Sequence, residues 1–245
     1  MRNFLKIFFK VNWIATLLFN FRYFGWKKGK IIPVLLFRSC HVRGKGSFII
    51  PNDCCFGMIK LGIKHEISCI SSIGILIENN GIIKFQGSGI MGNGCVISVK
   101  KDAVLSFGKN FGMTGDIKIH CHEKIFIGRN FSCSWNVVIS DTDFHECLNP
   151  DDGKIMPKTN QIIIGDNVWC CQHTFISKGS IIPDWTTIAQ LSLTNKKYNC
   201  INYSILAGIP AKCMNKKLVR EDISKINSLP DNWIITKGFK VFNIK

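Results

Sequence analysis

The sequence lacks the cysteine spacings that define small stapled domains. Its 245 residues include twelve cysteines, but these occur singly or as the doublets Cys54-Cys55 and Cys170-Cys171, and no Cys-x-x-Cys pair exists. Disulfide frameworks are typical of much shorter secreted chains. Because free cysteine is among the most often buried residue types, we expect these side chains to be small apolar core residues of a reduced, cytoplasmic protein.

The N-terminal segment also lacks a long apolar run. Its longest charge-free stretch, Val11 to Phe21, is about half a membrane span and contains two asparagines. No small-residue cleavage site follows, so we expect neither a membrane-spanning helix nor a secretory signal. Helical spacing relates Phe4, Ile7, Phe8, Val11, Ala15 and Leu18. Residues 1–43 are therefore predicted to be largely helical. This helix fits either a peripheral position on the inner, anionic face of the cytoplasmic membrane or packing on the protein's own core or a partner subunit.

Acidic residues are scarce. The chain has 16 Asp and Glu against 32 Lys and Arg, a net charge of +16. This charge favours phosphorylated ligands, acidic glycans, anionic membranes or nucleic acid. The basic residues are scattered and no zinc-finger or RRM-type motif is present, so we expect no nucleic-acid partner.

A period of six residues appears in the second half of the chain. From Ile164 the sequence divides without insertion into IGDNVW, CCQHTF, ISKGSI, IPDWTT and IAQLSL. The first positions are Ile164, Cys170, Ile176, Ile182 and Ile188. The fifth positions, all small or β-branched, are Val168, Thr174, Ser180, Thr186 and Ser192. A six-residue repeat indicates a β-helix, in which short strands stack coil upon coil.

The same phrase occurs twice upstream. FGKNF at 107–111 and IGRNF at 127–131 align with IGDNV at 164–168. We expect the glycines and asparagines to form corners, because these residues tolerate positive φ best. The predicted fold class is all-β: a β-helix over residues 44–194, less regular before residue 104. A small basic cap and tail follow over residues 195–245, with a short helix from about Leu218.

The six-residue rhythm stops between Asp141 and Gln161, where the sequence is polar and contains two prolines. We expect a loop extruded from the β-helix. Near its start, ISDTDFHE places three acids around His145. Loops on rigid scaffolds often carry function, so His145 is a candidate catalytic residue, the alternative being a loop histidine bonded to a carbonyl or to Glu146. Asp141 and Asp143 fit a turn cap equally well.

Together these motifs resemble the bacterial hexapeptide-repeat acyltransferases, most of all the branch that O-acetylates capsule, O-antigen or exopolysaccharide sugars. The resemblance rests on Asp-x-Asp-x-His before a polar loop, on IGDNVW, on KGSII and on ILAGIPAKCMNK, and it covers about residues 21–217. It implies a left-handed parallel β-helix, a homotrimer, acetyl-CoA in a groove between subunits and a sugar acceptor beside the loop histidine. A metal is not required.

The resemblance also implies roles for individual residues. His145 corresponds to the catalytic base, and an imidazole suits that task because its pKa lies near neutrality. The predicted substrate-binding residues are Asn136, Asp141, Asp143 and Trp169. The predicted acetyl-CoA-binding residues are Gln172, Ala189, Ser192, Lys196 and Lys212. No nucleophilic Ser or Cys stands in a recognisable context, so we expect direct transfer without an acyl-enzyme.

The sequence departs from the family beside the groove, where it has Cys170-Cys171-Gln172 and Ala189-Gln190-Leu191-Ser192 in place of glycine-containing phrases. A different acyl donor, or a degenerate transferase that serves as a scaffold or an acidic-glycan-binding protein in polysaccharide assembly, therefore stays open. A zinc enzyme is a further alternative, because His120-Cys121-His122 places two imidazoles on one strand face. The related zinc branch needs another histidine where this chain has Pro150.

Overall fold

The computed structural model describes residues 9–37, 40–63 and 74–218, which form one α-helix and 24 strands. Helix α1 (Trp13–Gly29) comes first. Apart from one hairpin, the strands that follow cycle through three sheets, and neighbours within the coil pair in parallel. This arrangement confirms the predicted left-handed parallel β-helix with a short N-terminal helix.

The coil strands join the three sheets in rotation, except that the last two strands both join sheet 1. Sheet 1 contains β1 (Val34–Leu36), β4 (Ile59–Ile63), β7 (Gly89–Gly92), β10 (Phe111–Gly115), β13 (Ser132–Trp135), β18 (Trp169–Cys170), β21 (Thr187–Ile188), β23 (Ser204–Gly208) and β24 (Ala211–Lys217). Sheet 2 contains β2 (Cys40–Arg43), β5 (Ile75–Asn79), β8 (Val96–Val99), β11 (Lys118–Cys121), β14 (Val138–Ser140), β19 (Phe175–Ser177) and β22 (Leu193–Thr194). Sheet 3 contains β3 (Ser47–Ile49), β6 (Ile82–Phe85), β9 (Val104–Phe107), β12 (Lys124–Ile127), β17 (Ile162–Ile164) and β20 (Ile181–Ile182).

The six-residue period sets the core. Parallel register stacks equivalent positions, so that Ile127 pairs with Ile164 and Ile164 with Ile182. All five first positions and all five fifth positions of the repeat are buried. The fifth position is small or β-branched in these five repeats, but the equivalent upstream residues Phe111 and Phe131 are also buried, so what the position shares is burial and not small size.

Asparagine and glycine have different roles at the corners between sheet 3 and sheet 1, although the sequence predicts positive φ for both. Asn110, Asn130 and Asn167 have φ of 60°, 55° and 59°, as predicted, and their amides form a ladder from coil to coil. The preceding glycines do not have positive φ. A Cβ on Gly128 would overlap the backbone of Gly165, so glycine is required there for close approach of successive coils.

Helix α1 packs on the first coil through Phe19 and through two polar side chains. Asn20 accepts a hydrogen bond from the Val34 N–H (3.1 Å) and donates to the Val34 carbonyl (2.7 Å). Thr16 Oγ1 accepts from the Leu36 N–H (3.0 Å). These contacts satisfy the outer edge of β1, which has no other strand beside it among the described residues. Because β1 and β2 pair into sheets 1 and 2, the coil extends into the predicted N-terminal segment, ahead of residue 44.

The other end of the coil closes with an antiparallel pair, β23 and β24, and most of β24 is exposed. The helix predicted from Leu218, like the predicted helical positions Phe4, Ile7 and Phe8, lies outside the described residues. No described helix has the length and apolar character needed to traverse a bilayer.

The cysteines only partly follow the prediction. No disulfide links the described ones, and Cys54, Cys95, Cys121, Cys133 and Cys170 are buried. Cys55, Cys147 and Cys213 are exposed instead, because they fall on a turn, on the extruded loop and on the outer strand β24.

Candidate functional site

The extruded loop leaves the coil after β14 and returns at β17, so it occupies the corner between sheet 2 and sheet 3. Its tip is the hairpin of β15 (Cys147–Leu148) and β16 (Ile155–Met156). Its two limbs are joined at the base. The Asp143 N–H donates to the Lys158 carbonyl (2.9 Å), and the Asn160 N–H donates to the Asp141 carbonyl (3.0 Å). The loop therefore has a defined base on a rigid scaffold.

Asp141 anchors the first limb to the preceding coil. Its side chain is buried, Oδ1 accepts from the His122 N–H (2.7 Å) and Oδ2 accepts from the Glu123 N–H (2.9 Å). Burial raises the pKa of this carboxyl, and the two backbone donors partly offset the effect. The Asp141 side chain, which was predicted to bind substrate, thus lies beneath the loop. It holds the turn at His122 and Glu123, one coil earlier.

Lys178 ties both limbs of the loop to the coil. Its Nζ lies 2.6 Å from Asp143 Oδ2 on the outgoing limb and donates to the Pro157 carbonyl, also at 2.6 Å, on the returning limb. The Lys178 side chain is 23% exposed and that of Asp143 51% exposed. One ammonium group therefore fixes the span of the loop that carries His145.

Phe144 and two histidines form the floor next to His145. Phe144 has φ of 66° and its N–H donates to Thr142 Oγ1 (2.9 Å). Its ring lies edge-on to His120 and His122, with centroids 5.3 and 5.1 Å away. Burial lowers the pKa of both imidazoles, so they are neutral at pH 7. The paired histidines thus pack on an aromatic ring of the loop.

His145 follows Phe144 and is exposed. Within the described ranges, neither Glu146 nor any backbone carbonyl hydrogen-bonds its imidazole. Glu146 is also exposed, and Asp143 is engaged by Lys178. The side chain is free to meet a ligand that approaches the loop from solvent.

The remaining predicted substrate residues lie at a different corner, between sheet 1 and sheet 2. Asn136 is half-buried there with φ of 56°, and the next coil places His173 directly beside it, since the His173 N–H donates to the Trp135 carbonyl (3.2 Å). Trp169 is half-buried on β18, facing outward one residue before the buried Cys170. Strand β14, about 10 Å long, separates this corner from the loop.

Four of the five predicted acetyl-CoA residues gather near this second corner. Gln172 donates to Gln190 on the next coil (3.4 Å), and Ala189 is half-buried beside that pair. Ser192 is buried, and its Oγ accepts from the Gly208 N–H (3.2 Å). Lys212 is exposed on β24, opposite Ala207.

Lys196 lies apart from the other four, at the corner of the loop. Its backbone carbonyl accepts from the Ile181 N–H (3.1 Å), and its ammonium lies over the Tyr198 ring. The chain therefore presents two separate sets of predicted residues, one beside the loop and one at the corner between sheets 1 and 2.

In the described part of the chain, no three His, Cys, Asp or Glu side chains are placed to hold one ion. Sequence reasoning missed the role of Lys178, although KGSII was singled out as a motif. The signal in the sequence that could have revealed this role was the position of Lys178 at a coil corner, facing the acidic start of the loop.

Comparison with known proteins gives one match in sequence, and no family model matches. The chain is 29% identical over 111 residues to the polysialic acid O-acetyltransferase of Neisseria meningitidis, which covers 45% of this chain and 52% of the relative. It thus spans about half the length of the curated relative that it matches.

Solved structures show broader, weaker likeness. The polysialic-acid-specific acetyltransferase NeuO is 16% identical, with 77% of this chain and 91% of that chain covered and a TM-score of 0.41. AntD, an N-acyltransferase from Bacillus cereus in complex with dTDP and coenzyme A, is 15% identical, with 72% and 86% covered and a TM-score of 0.49.

The repeat, the coil and the match in sequence point the same way. The six-residue period is realised as a three-sheet parallel coil with one loop extruded at a corner. The match in sequence is to an enzyme of the kind that the motifs resemble. These findings agree with the resemblance to the hexapeptide-repeat acetyltransferases that the motifs indicate.

Proposed function

We propose that this protein is an O-acetyltransferase that moves an acetyl group from acetyl-CoA to a hydroxyl of a bacterial surface polysaccharide or its precursor. The observation that carries the proposal is the loop at 141–161, which interrupts the coil, is tied to it by Asp141 and Lys178, and holds His145 exposed. A scaffold alone needs no such device. The match to a polysialic acid O-acetyltransferase supports the reaction type.

In the proposed reaction the His145 imidazole removes the proton from the sugar hydroxyl as the hydroxyl oxygen attacks the thioester carbonyl. The tetrahedral intermediate expels the CoA thiolate, which takes the proton back from the imidazolium. The products are the sugar ester and free CoA thiol, and His145 is restored. A backbone N–H near the loop is the simplest donor to the transient oxyanion.

The acceptor is proposed to be an acidic glycan. The chain carries a net charge of +16, which raises the local concentration of polyanions. The relative acts on polysialic acid, which has the same chemistry. Exposed Lys196 and Lys212 are proposed to meet CoA phosphates, with Gln172, Ala189 and Ser192 along the pantetheine path and Asn136, Asp143 and Trp169 on the acceptor side.

A homotrimer is part of the proposal because the site is divided within one protomer. His145 and the corner with Asn136 lie at opposite ends of β14, so a loop from one subunit facing that corner of its neighbour would complete the site. The loop also exposes apolar side chains that such a contact would cover, namely Phe144, Leu148, Ile155 and Met156. The enzyme is proposed to work in the cytoplasm, at the inner face of the membrane.

The test is acetyl-CoA turnover, followed as free thiol release, against a panel of nucleotide sugars and surface glycans that includes polysialic acid. We expect acceptor-dependent release that falls by roughly two orders of magnitude or more in His145→Ala. His41→Ala, which removes an exposed histidine from β2 at the far end of the coil, is the matched control. Equal activity of the two variants would remove His145 from the mechanism.

Absence of thiol release with every acceptor, together with no CoA binding in calorimetry, would support a degenerate scaffold instead. Gln172, which departs from the family pattern, would then be the first residue to change back to the family's residue.

A further inference from the structure

Helix α1 carries apolar side chains on both of its faces. The face that contacts the first coil is mixed: Thr16 and Asn20 are fully buried, and Phe19 packs in the core, in ring contact with Phe48. The opposite face carries Ile14, Leu17, Leu18 and Phe21, spaced i, i+3, i+4 and i+7, which is one stripe of a helix. A helix on a water-soluble scaffold usually has a polar outer face, so this second apolar stripe is unusual.

This apolar stripe is exposed at its three aliphatic positions, and Phe21 is half-buried. Ile14 is 76% exposed and Leu18 67%. Trp26, which follows the break in helical geometry at Gly25, is 76% exposed and stacks on Phe21, with ring centroids 5.2 Å apart. A contiguous aliphatic stripe that ends in an exposed tryptophan indicates a surface that is covered in use.

The charge of the N-terminal segment indicates which kind of surface covers the apolar stripe. Residues 1–52 contain ten Lys and Arg and no Asp or Glu. Lys28 is engaged with the carbonyls of Ile50 and Pro51 and with Asn52, but Lys10, Arg22, Lys27 and Lys30 are exposed near the stripe. A second copy would bring the same positive segment against the first, which costs electrostatic energy. An anionic lipid surface complements both the charge and the apolar stripe.

We propose that the outer face of α1 is a docking surface for an anionic phospholipid bilayer, with Ile14, Leu17, Leu18 and Phe21 in the acyl region and Trp26 at the headgroup level. The helix lies in the plane of the interface, because its unbroken part before Gly25 is too short to cross. Docking would hold the catalytic loop near membrane-bound acceptors, but it does not depend on acetyl transfer.

The test is co-sedimentation of the full chain with vesicles of phosphatidylcholine alone or of phosphatidylcholine with phosphatidylglycerol. Binding is expected only with the anionic lipid and is expected to weaken with added salt. Leu18→Glu should lower partitioning by roughly tenfold or more, since it removes a buried aliphatic side chain from the lipid. Ile201→Glu, at an exposed aliphatic position in the cap, should not change it.

Charge is tested separately. The triple variant Arg22→Gln, Lys27→Gln, Lys30→Gln should lose roughly a hundredfold in partitioning, about fivefold per residue. A control with the same net charge, Lys84→Gln, Lys101→Gln, Lys124→Gln, should keep binding within a few-fold, because these exposed lysines lie further along the coil. Equal losses in both triples would reduce the effect to overall charge and overturn the proposal.

The last measurements concern the depth of Trp26 in the bilayer and the alternative that a second copy of the chain covers the stripe. Quenching of tryptophan fluorescence by brominated lipid should fall in Trp26→Phe. If Leu18→Glu instead dissociates an oligomer in light scattering, while wild type and variant bind vesicles equally, the stripe is a contact between copies and the lipid proposal is wrong.

Discussion

The clamp made by Lys178 permits a quantitative prediction about the loop. Lys178→Met removes the ammonium but keeps an unbranched stem of similar length. Two interactions are lost: the ion pair with Asp143 and the hydrogen bond to the Pro157 carbonyl, each at 2.6 Å. The change leaves the coil intact, because neither partner belongs to a strand of the three sheets.

The magnitude follows from exposure. An ion pair with a half-exposed carboxylate contributes about 0.2–1 kcal/mol. A hydrogen bond from a charged donor contributes at most about 1.5–3 kcal/mol, and partial solvent access reduces it. Together we expect a loss of roughly 1–3 kcal/mol in loop anchoring, which is about a five- to 150-fold rise in the open population.

Amide hydrogen exchange measured by mass spectrometry on peptides from residues 141–161 checks this directly, without reference to activity. Lys154→Met is the matched control. Lys154 pairs with Asp152 at 2.9 Å but joins only two neighbouring residues in the hairpin and does not tie the loop to the coil. Thiol release should fall roughly tenfold in Lys178→Met if the loop positions His145. Unchanged exchange in Lys178→Met, or an equal rise in both variants, would refute the clamp.

Two further predictions concern stability. Gly128→Ala should destabilise the coil by roughly 1–3 kcal/mol, because its Cβ would overlap the Gly165 backbone. Thermal melting measures this, and the comparison is Gly112→Ala, where the nearest atom to the new Cβ is Ser132 Oγ at 3.9 Å. Burial lowers the pKa of His120 and His122 below the unfolded value of 6.5. The unfolded chain therefore binds more protons than the folded chain in this pH range. The contribution of these residues to stability is lost as pH falls below about 6.5. The wild-type melting temperature should therefore decline between about pH 7 and 5 more steeply than that of His120→Gln, His122→Gln, and equal slopes would contradict this reasoning.

The fold was predictable because one physical rule is repeated in every coil. Each corner needs a buried residue at the fifth position and each strand needs an apolar residue at the first, so five uninterrupted repeats define the register. The first coil was not recognised, because β1 and β2 are embedded in a segment rich in Phe and Lys whose helical spacing dominated. Its strands reveal themselves only through pairing with β4 and β5.

The site was less accessible to sequence reasoning, because it depends on contacts between coils. Asp141 precedes His145 by only four residues, yet its carboxylate is directed toward the backbone of His122 and Glu123, which lie one coil earlier. Lys178 meets Asp143 only because the coil after the loop returns to the same corner. The roles of His145, Asn136 and the acetyl-CoA residues stay predictions, and thiol release and CoA calorimetry will test them.

The structure shows which residues of the Cys170-Cys171-Gln172 departure from the family pattern lie on the outside of the coil, where they bear on CoA binding. Of Cys170-Cys171-Gln172, the first cysteine points into the core, where it stacks between Cys133 and Ile188, and burial raises the pKa of its thiol. Its bulk is therefore accommodated inside the coil and cannot obstruct a groove on the outside. Cys171 and Gln172 are half-buried, and Gln172 donates to Gln190 on the next coil. The two glutamine side chains are flexible and lie at a corner, so their displacement by CoA would cost little, which favours an active enzyme over a scaffold.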